Sequence, residues 1–257
     1  MKRLTVASFD VGRKNFAQYI EDVNFDKVEE LCEKYTSKNA EEILHELVMS
    51  STRVSTGVFD LCSEQDENKY TLETRKKLIA HLENFRDTWA KCDVFIIEQQ
   101  YFKIARRRAS EGNVDAIKLA EGLMIWFMSE FPFKVVEMVS NSMKTRFFNA
   151  PKRLKDKERK TWAISKARDL YFQRGDKSMM ELFLLSDRIF RKRLVKEEVI
   201  QKMLETLPPS VSQDIKILAE QLVRKRQKLD DISDAFLQCQ AYVFKTFIVE
   251  RYRKKKR

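Results

Sequence analysis

Three acidic positions in the 257-residue chain border apolar runs, where a carboxylate is hardest to accommodate. Asp10 follows the run from Leu4 to Phe9, Glu98 ends the run Val94-Phe-Ile-Ile97, and Asp231 and Asp234 open the apolar-patterned stretch that continues to about residue 250. A carboxylate beside a core costs free energy unless something compensates it, and a set gathered from distant segments is compensated by divalent cations. Ligation by oxygen alone suits Mg2+ or Mn2+. A spacing of three puts Asp231 and Asp234 on neighbouring positions of one helical turn, and Asp230 offers the same helix an alternative register. Singly, each acid has an ordinary explanation, as a cap at a helix start or a turn residue at a strand end. Their order along strand, strand and helix is what raises the set above that.

Other chemistries fare worse. His45 and His81 fall in amphipathic segments and are expected on exposed helical surface, which leaves no histidine for acid–base work. Cys32, Cys62, Cys92 and Cys239 are isolated and never form C-x-x-C, so they read as reduced thiols of an intracellular protein rather than as a zinc site or a disulfide framework. The five glycines (Gly12, Gly57, Gly112, Gly122, Gly175) are too scattered for G-x-G-x-x-G or a P-loop, so no nucleotide cofactor is expected. The first residues lack the apolar core of a secretory signal, and no stretch reaches the roughly 18 apolar residues of a membrane span, so no membrane partner is expected. With 50 basic against 39 acidic residues the net charge is +11, which points first to a nucleic-acid partner; an acidic membrane face or acidic proteins would also suit it.

The elements that must position the acids can be read from periodicity. Residues 4–9 and 15–20 form a hairpin turning at Gly12, with Asp10 at its mouth; helices follow near 27–36 and 40–50, each opening with capping-box spacing (Asp26 to Glu29, Asn39 to Glu42), then a third strand at 54–62. Leu72, Leu78, Ile79, Leu82, Phe85 and Trp89 recur at helical spacing, and 93–98 is a short, fully apolar strand suited to the interior of a sheet. A helix over 113–130 and a strand over 134–139 make a parallel crossover. Residues 144–168 hold ten basic residues and two acids and become helical in their second half. Residues 176–226 read as two or three helices interrupted by Pro208-Pro209, and a last helix spans about 231–250 with Ile232, Ala235, Phe236, Cys239, Val243 and Phe247 inward. The basic tail 251–257 is expected to be disordered. The whole reads as one domain with a helical insertion at about 176–226.

Ser8-Phe-Asp10-Val-Gly12-Arg-Lys14-Asn15, Ile97-Glu98-Gln-Gln100 and Lys228-Leu-Asp230-Asp231-Ile-Ser-Asp234-Ala-Phe-Leu-Gln238 together resemble the RuvC-like Holliday junction resolvases, in their poxvirus and large-DNA-virus branch with its yeast mitochondrial relatives. The resemblance covers roughly 1–175 and 226–250. It implies an α/β, ribonuclease H-like fold, a five-stranded mixed sheet flanked by helices, carrying four acids on two metal ions. Matched by position, Asp10 would bridge the metals, Glu98 would be the acid ending the fourth strand, and Asp231 with Asp234 would be the helical pair, Asp230 remaining the other register. Lys144 and Lys160 fall where the family carries lysines near the scissile phosphate, although general phosphate attraction explains them equally well.

The activity implied is two-metal cleavage of branched DNA, with Mg2+ or Mn2+, leaving 5′-phosphate and 3′-hydroxyl ends. Paired cuts imply a homodimer. Lys14, Arg106, Arg107, Arg108, Lys144, Lys152, Arg153 and Lys160, with the clusters at 188–196 and 224–228, would bind phosphates and read junction shape. Phe102, Phe147 and Phe148 could wedge a junction but are better placed in a core. By analogy the protein would work where a large DNA virus replicates in its host cell, in cytoplasm or nucleus ahead of mitochondrion. A sugar-kinase or actin-like ATPase also opens with a strand and Asp-x-Gly, but it needs glycine-rich phosphate loops that are missing; a non-catalytic DNA-binding scaffold would not need all four acids.

Overall fold

The computed structural model describes residues 2–62, 70–100, 114–191, 201–202, 204–225 and 229–256. Five strands, β1 (Arg3–Asp10), β2 (Phe16–Asn24), β3 (Thr52–Phe59), β4 (Val94–Gln99) and β5 (Val135–Ser140), form one sheet in the order β3-β2-β1-β4-β5. β2 runs antiparallel to β1 and β3, whereas β4 is parallel to β1 and β5. This is the five-stranded mixed sheet that the sequence implied, and β4 is an interior strand as its unbroken apolar run required.

Helices cover both faces. On one side lie α1 (Phe25–Lys34), α2 (Ala40–Ser50), α6 (Ser142–Phe147), α7 (Asp156–Arg174), α8 (Lys177–Arg191), α9 (Gln213–Lys225) and α10 (Asp230–Val243). On the other lie α3 (Leu72–Asn84), α4 (Arg86–Lys91) and α5 (Val114–Glu130). Strand alternation divides the core accordingly: Val6, Val94 and Ile96 join the first cluster, and Ala7, Phe9, Phe95 and Ile97 the second. In the second, Phe95 stacks on Phe127 with ring centroids 3.9 Å apart, and Trp89 donates its indole N–H to Leu82 O at 2.9 Å, so a large aromatic is buried without an orphaned donor.

Local signals set several boundaries. Asn24 Oδ1 accepts the Lys27 N–H and caps α1, which therefore starts before Asp26. Gly175, at φ 71°, ends α7 in the left-handed conformation that glycine adopts without a Cβ clash. The helices of the 176–226 segment bury Met179, Leu182, Ile215 and Leu222 in the same apolar cluster as α10, and Arg53 of β3 fastens them, its guanidinium 2.9 Å from Asp176 and 2.6 Å from Asp214. They thereby cover β3, an edge of the sheet. No helix among the described residues is long and apolar enough to cross a membrane.

Three expectations need correction. α3 is rotated from its apolar reading: Thr74, Leu78, His81 and Leu82 face inward, while Leu72 and Ile79 face solvent. His81 is consequently buried rather than exposed, ringed by Phe16, Phe59 and Phe85, with Nε2 2.8 Å from Gln18 Oε1. The basic tail is not disordered throughout; a π-helical turn (Phe244–Val249) carries α10 into α11 (Glu250–Lys255), where the Arg251 guanidinium lies over the rings of Phe25 and Phe247.

Burial pushes the His81 imidazole down to about 4. The fold therefore holds the neutral ring: its stability is complete above the unfolded value near 6.5 and is lost as pH falls from there toward 4. Denaturant unfolding of wild type and His81→Gln, compared at pH 7 and pH 4.5, should show wild type losing about 2–3 kcal/mol more than the variant; equal losses would mean that His81 is not held neutral.

Candidate active site

Even-numbered residues of β1 and β4 face α10, so Asp10 and Glu98, at matching ends of adjacent parallel strands, point to the same side; the pairing Phe9 to Ile97 leads directly to them. α10 is pinned there by Gln238, whose Nε2 donates to Ser8 Oγ at 3.2 Å and Phe9 O at 3.3 Å. Asp234 is one turn earlier on the same helix face. The last contribution comes from α6, directly after β5: the buried Lys144 ammonium sits 3.1 Å from Glu98 Oε1 and 3.0 Å from Asp234 Oδ2.

The structure thus brings Asp10, Glu98, Asp234 and Lys144 together. Asp231 adjoins them, in electrostatic reach of Asp234 and Lys144. Asp230 is turned to α7, where Lys160 Nζ meets its Oδ2 at 2.5 Å. The two registers of the sequence reading are therefore occupied differently: Asp230 has a lysine, while Asp231 Oδ2 and Asp234 Oδ1 are buried without a hydrogen-bond partner. Capping does not explain these acids, because the N-cap of α10 is Leu229 and no side chain caps it.

Electrostatics follow from that crowding. Burial raises Asp10 well above the usual carboxylate range, and the charge of Glu98 raises it further against the opposing pull of Lys144. Burial also acts on Glu98, yet Lys144 and hydrogen bonds from Asp10, Lys144 and Gln100 outweigh it and hold this carboxyl low. Of the pair, Asp10 is the carboxyl with the stronger hold on a proton. Asp231 is pushed up to about 7 by burial and by Asp230. Asp234 is raised by burial, with Lys144 opposing. Lys144 stays charged, burial notwithstanding, because Asp234, Glu98 and Asp10 surround it.

Among the described residues no three Asp, Glu, His or Cys side chains already stand at metal-holding geometry; an ammonium separates Glu98 from Asp234. The donor set still fits a hard dication. It is all oxygen, two buried oxygens lack partners, and five carboxylates (Asp10, Glu98, Asp230, Asp231, Asp234) face two ammoniums (Lys144, Lys160).

Of the other expected residues, Lys160 is half exposed beside Asp230, Lys14 is exposed between β1 and β2, and Lys152 and Arg153 are exposed between α6 and α7. Arg106, Arg107, Arg108 and Phe102 lie outside the described residues. Phe148 is buried and Phe147 half-buried, on the core side of the alternatives. Gln238 and Gln100 were not assigned roles from sequence; the spacing of four from Asp234 to Gln238 was the available signal for the first.

No family model matches the chain. It is 29% identical over 248 residues to uncharacterized protein 170L of Invertebrate iridescent virus 6, spanning 92% of this chain and 87% of that one, and 28% identical over 179 residues to uncharacterized protein 97L of Invertebrate iridescent virus 3, spanning 63% and 83%. Among solved structures it is similar to the fowlpox virus Holliday junction resolvase (16% identity, TM-score 0.40, 93% of this chain and 98% of that one). It is also similar to RuvC of T. thermophilus in complex with a Holliday junction substrate (10%, TM-score 0.40, 94% and 93%). The fold is the five-stranded mixed sheet, in the order β3-β2-β1-β4-β5, flanked by helices.

Lys144→Met should leave Glu98 and Asp234 without their buried counter-charge, a loss of about 3–5 kcal/mol. In EDTA at pH 7 the melting temperature should fall by roughly 10 °C, and millimolar Mg2+ should recover part of it. An unchanged melting temperature in EDTA would show that the ammonium does not hold the acids together.

Proposed function

We propose that this protein is a metal-dependent endonuclease that resolves four-way DNA junctions by paired symmetric nicks. The observation carrying the proposal is the convergence of Asp10, Glu98, Asp231 and Asp234 from two strand ends and a helix start, with more buried negative charge than the neighbouring lysines neutralise. These four would hold two Mg2+ ions, for which Mn2+ could substitute. Such ions, when bound, lower the pKa of an attacking water and stabilise the leaving 3′ oxygen, giving 5′-phosphate and 3′-hydroxyl ends.

The chain's own groups supply the rest. Asp10, hydrogen-bonded to Glu98 and in electrostatic reach of Asp234, would join them in holding the ions and would bind in its ionised form. Lys144, tied to α6 behind Glu98 and Asp234, would keep the two carboxylates oriented. Lys160, half exposed, could exchange Asp230 for a phosphoryl oxygen and offset charge developing there. With a net charge of +11, the surface attracts DNA without reading bases. The relatives are proteins of iridescent viruses, and we place the work at a viral replication site in the host cell.

Paired nicks need two sites, hence a homodimer. The surface best suited to the contact is the α3–α5 face, where a cavity of about 470 Å3 is bordered by Ile79 and Ile125, 49% and 61% exposed, with Leu72 and Met128 also exposed. Its charged lining is balanced, Arg75 and Lys118 against Glu121 and Glu130. Within a chain of +11 this is where a second copy can approach without repulsion. Sedimentation should find wild type dimeric and Ile79→Asp/Ile125→Asp monomeric; an unaltered dimer would place the contact elsewhere.

The activity is tested on a labelled immobile four-way junction beside matched linear duplex, with Mg2+ or Mn2+. Symmetric paired nicks in the junction should appear with wild type and fall at least about 100-fold in Asp10→Asn. Junction binding without cutting in either metal would leave the non-catalytic scaffold as the correct account.

A further inference from the structure

The loop joining α6 to α7 builds a second, separate concavity. A cavity of about 580 Å3 is lined there by Arg146, Lys152, Arg153 and Arg159, with Thr145 and Asn149 among its polar groups and no carboxylate or aromatic ring in its lining. Among the described residues Arg159 pairs with Asp156 alone, 3.2 Å away, and both side chains are exposed, so water and salt weaken that pair. Arg146, Lys152 and Arg153 make no ion pair among the described residues. Elsewhere on the surface Lys27, Lys34, Arg86 and Arg168 each meet an acid. Lys38 and Lys91, by contrast, also lack an ion pair among the described residues, so what sets this concavity apart is that four cations line it together with no carboxylate; Arg146 also lies over the Phe147 ring, 5.7 Å from its centroid.

The backbone holds this arrangement under tension. Asn149 and Arg153, at φ 51° and 66°, are the non-glycine residues with positive φ among those described, and both belong to this loop. L-residues adopt that conformation at a cost and keep it where the surroundings demand it, commonly at sites that bind. Phe148 N donates to Lys144 O and Ala150 N to Thr145 O, so the loop folds back onto α6. α6 thus carries Lys144 into the acid cluster and, one and two residues on, Thr145 and Arg146 into the cavity.

We propose that this cavity seats backbone phosphates of the DNA strand adjoining the bond to be cut, an inference that rests on the nuclease reading and names where its substrate is gripped. Arginine forks match phosphate oxygens two at a time. With no ring to stack a base, the seat takes the backbone and is indifferent to sequence.

The test measures affinity for a labelled four-way junction and a linear duplex in EDTA over a salt series. Each phosphate contact contributes about 0.9 to the slope of log affinity against log salt. Arg146→Gln/Arg153→Gln should flatten that slope by about 2 and weaken binding at least about 10-fold near 0.1 M salt. Lys254→Gln/Lys255→Gln on α11 removes the same charge at another exposed site and should change affinity less than about 2-fold. Equal losses in the two pairs, or none in the first, overturn the seat; melting temperatures matching wild type exclude misfolding, and Lys152→Gln alone should cost about one contact as a second check. The two proposals fail separately. Wild type that binds through this cavity but cuts nothing with Mg2+ or Mn2+ removes the nuclease and leaves the seat, whereas wild type that cuts while Arg146→Gln/Arg153→Gln binds unchanged removes the seat alone. Wild type that binds no DNA overturns both.

Discussion

The ammonium of Lys144, 3.1 Å from Glu98 and 3.0 Å from Asp234, allows α10 to lie against the ends of β1 and β4. Ile232, Ala235, Phe236 and Cys239 drive the helix onto the sheet by burying apolar surface, and that packing brings Asp231 and Asp234 toward Asp10 and Glu98 whatever the electrostatic cost. Charges this close repel strongly in a partly desolvated site. One buried lysine and the raised proton affinity of Asp10 meet part of that cost, and two unpartnered oxygens mark the part they do not meet.

A second buried ionic network is closer to charge balance, although Glu21 Oε2 there is also buried without a hydrogen-bond partner. Arg174 pairs with Glu21 and donates to Tyr19 Oη, and Arg53 engages Asp176 and Asp214, joining α7 and the 176–226 helices to β2 and β3. Burial raises Glu21, yet it faces a guanidinium of its own and no other carboxylate in contact. Carboxylates and guanidiniums are nearly matched there, which is the pattern of a structural clasp. At the strand ends five carboxylates share two lysines. That imbalance, more than burial alone, is what the proposed cation binding would offset.

Much of this was legible in the sequence because it follows from short-range rules. The β-branched and apolar runs Leu4–Phe9 and Val94–Ile97 marked strands ending at Asp10 and Glu98, and the spacing of three put Asp231 and Asp234 on one helical turn; that the two strand-end acids share a face came from the pairing of β1 with β4. Residues whose partners are distant in the chain were not legible. Lys144 was one of ten basic residues between 144 and 168, and only the packing of α6 beside β5 selects it as the internal counter-charge. His81 read as surface because hydropathy favours Ile79 for the inward face of α3, but the Phe16, Phe59 and Phe85 rings and the Gln18 amide accept the imidazole instead. The helical tail was missed for the same reason, since its order depends on Arg251 meeting Phe25, more than two hundred residues away.

The sheet also sorts the molecule's surfaces. α3 and α5 present a charge-balanced apolar groove on one face, whereas the acids and the α6–α7 basic loop belong to elements packed on the other. A second copy docked through α3 and α5 would therefore cover neither the carboxylates nor the arginine-lined cavity. Two-fold symmetry would turn the two acid clusters outward on opposite sides of the shared face, each with its own basic loop. Such an arrangement would suit the proposed paired cleavage, because each site would hold its own strand while a single interface would fix their separation.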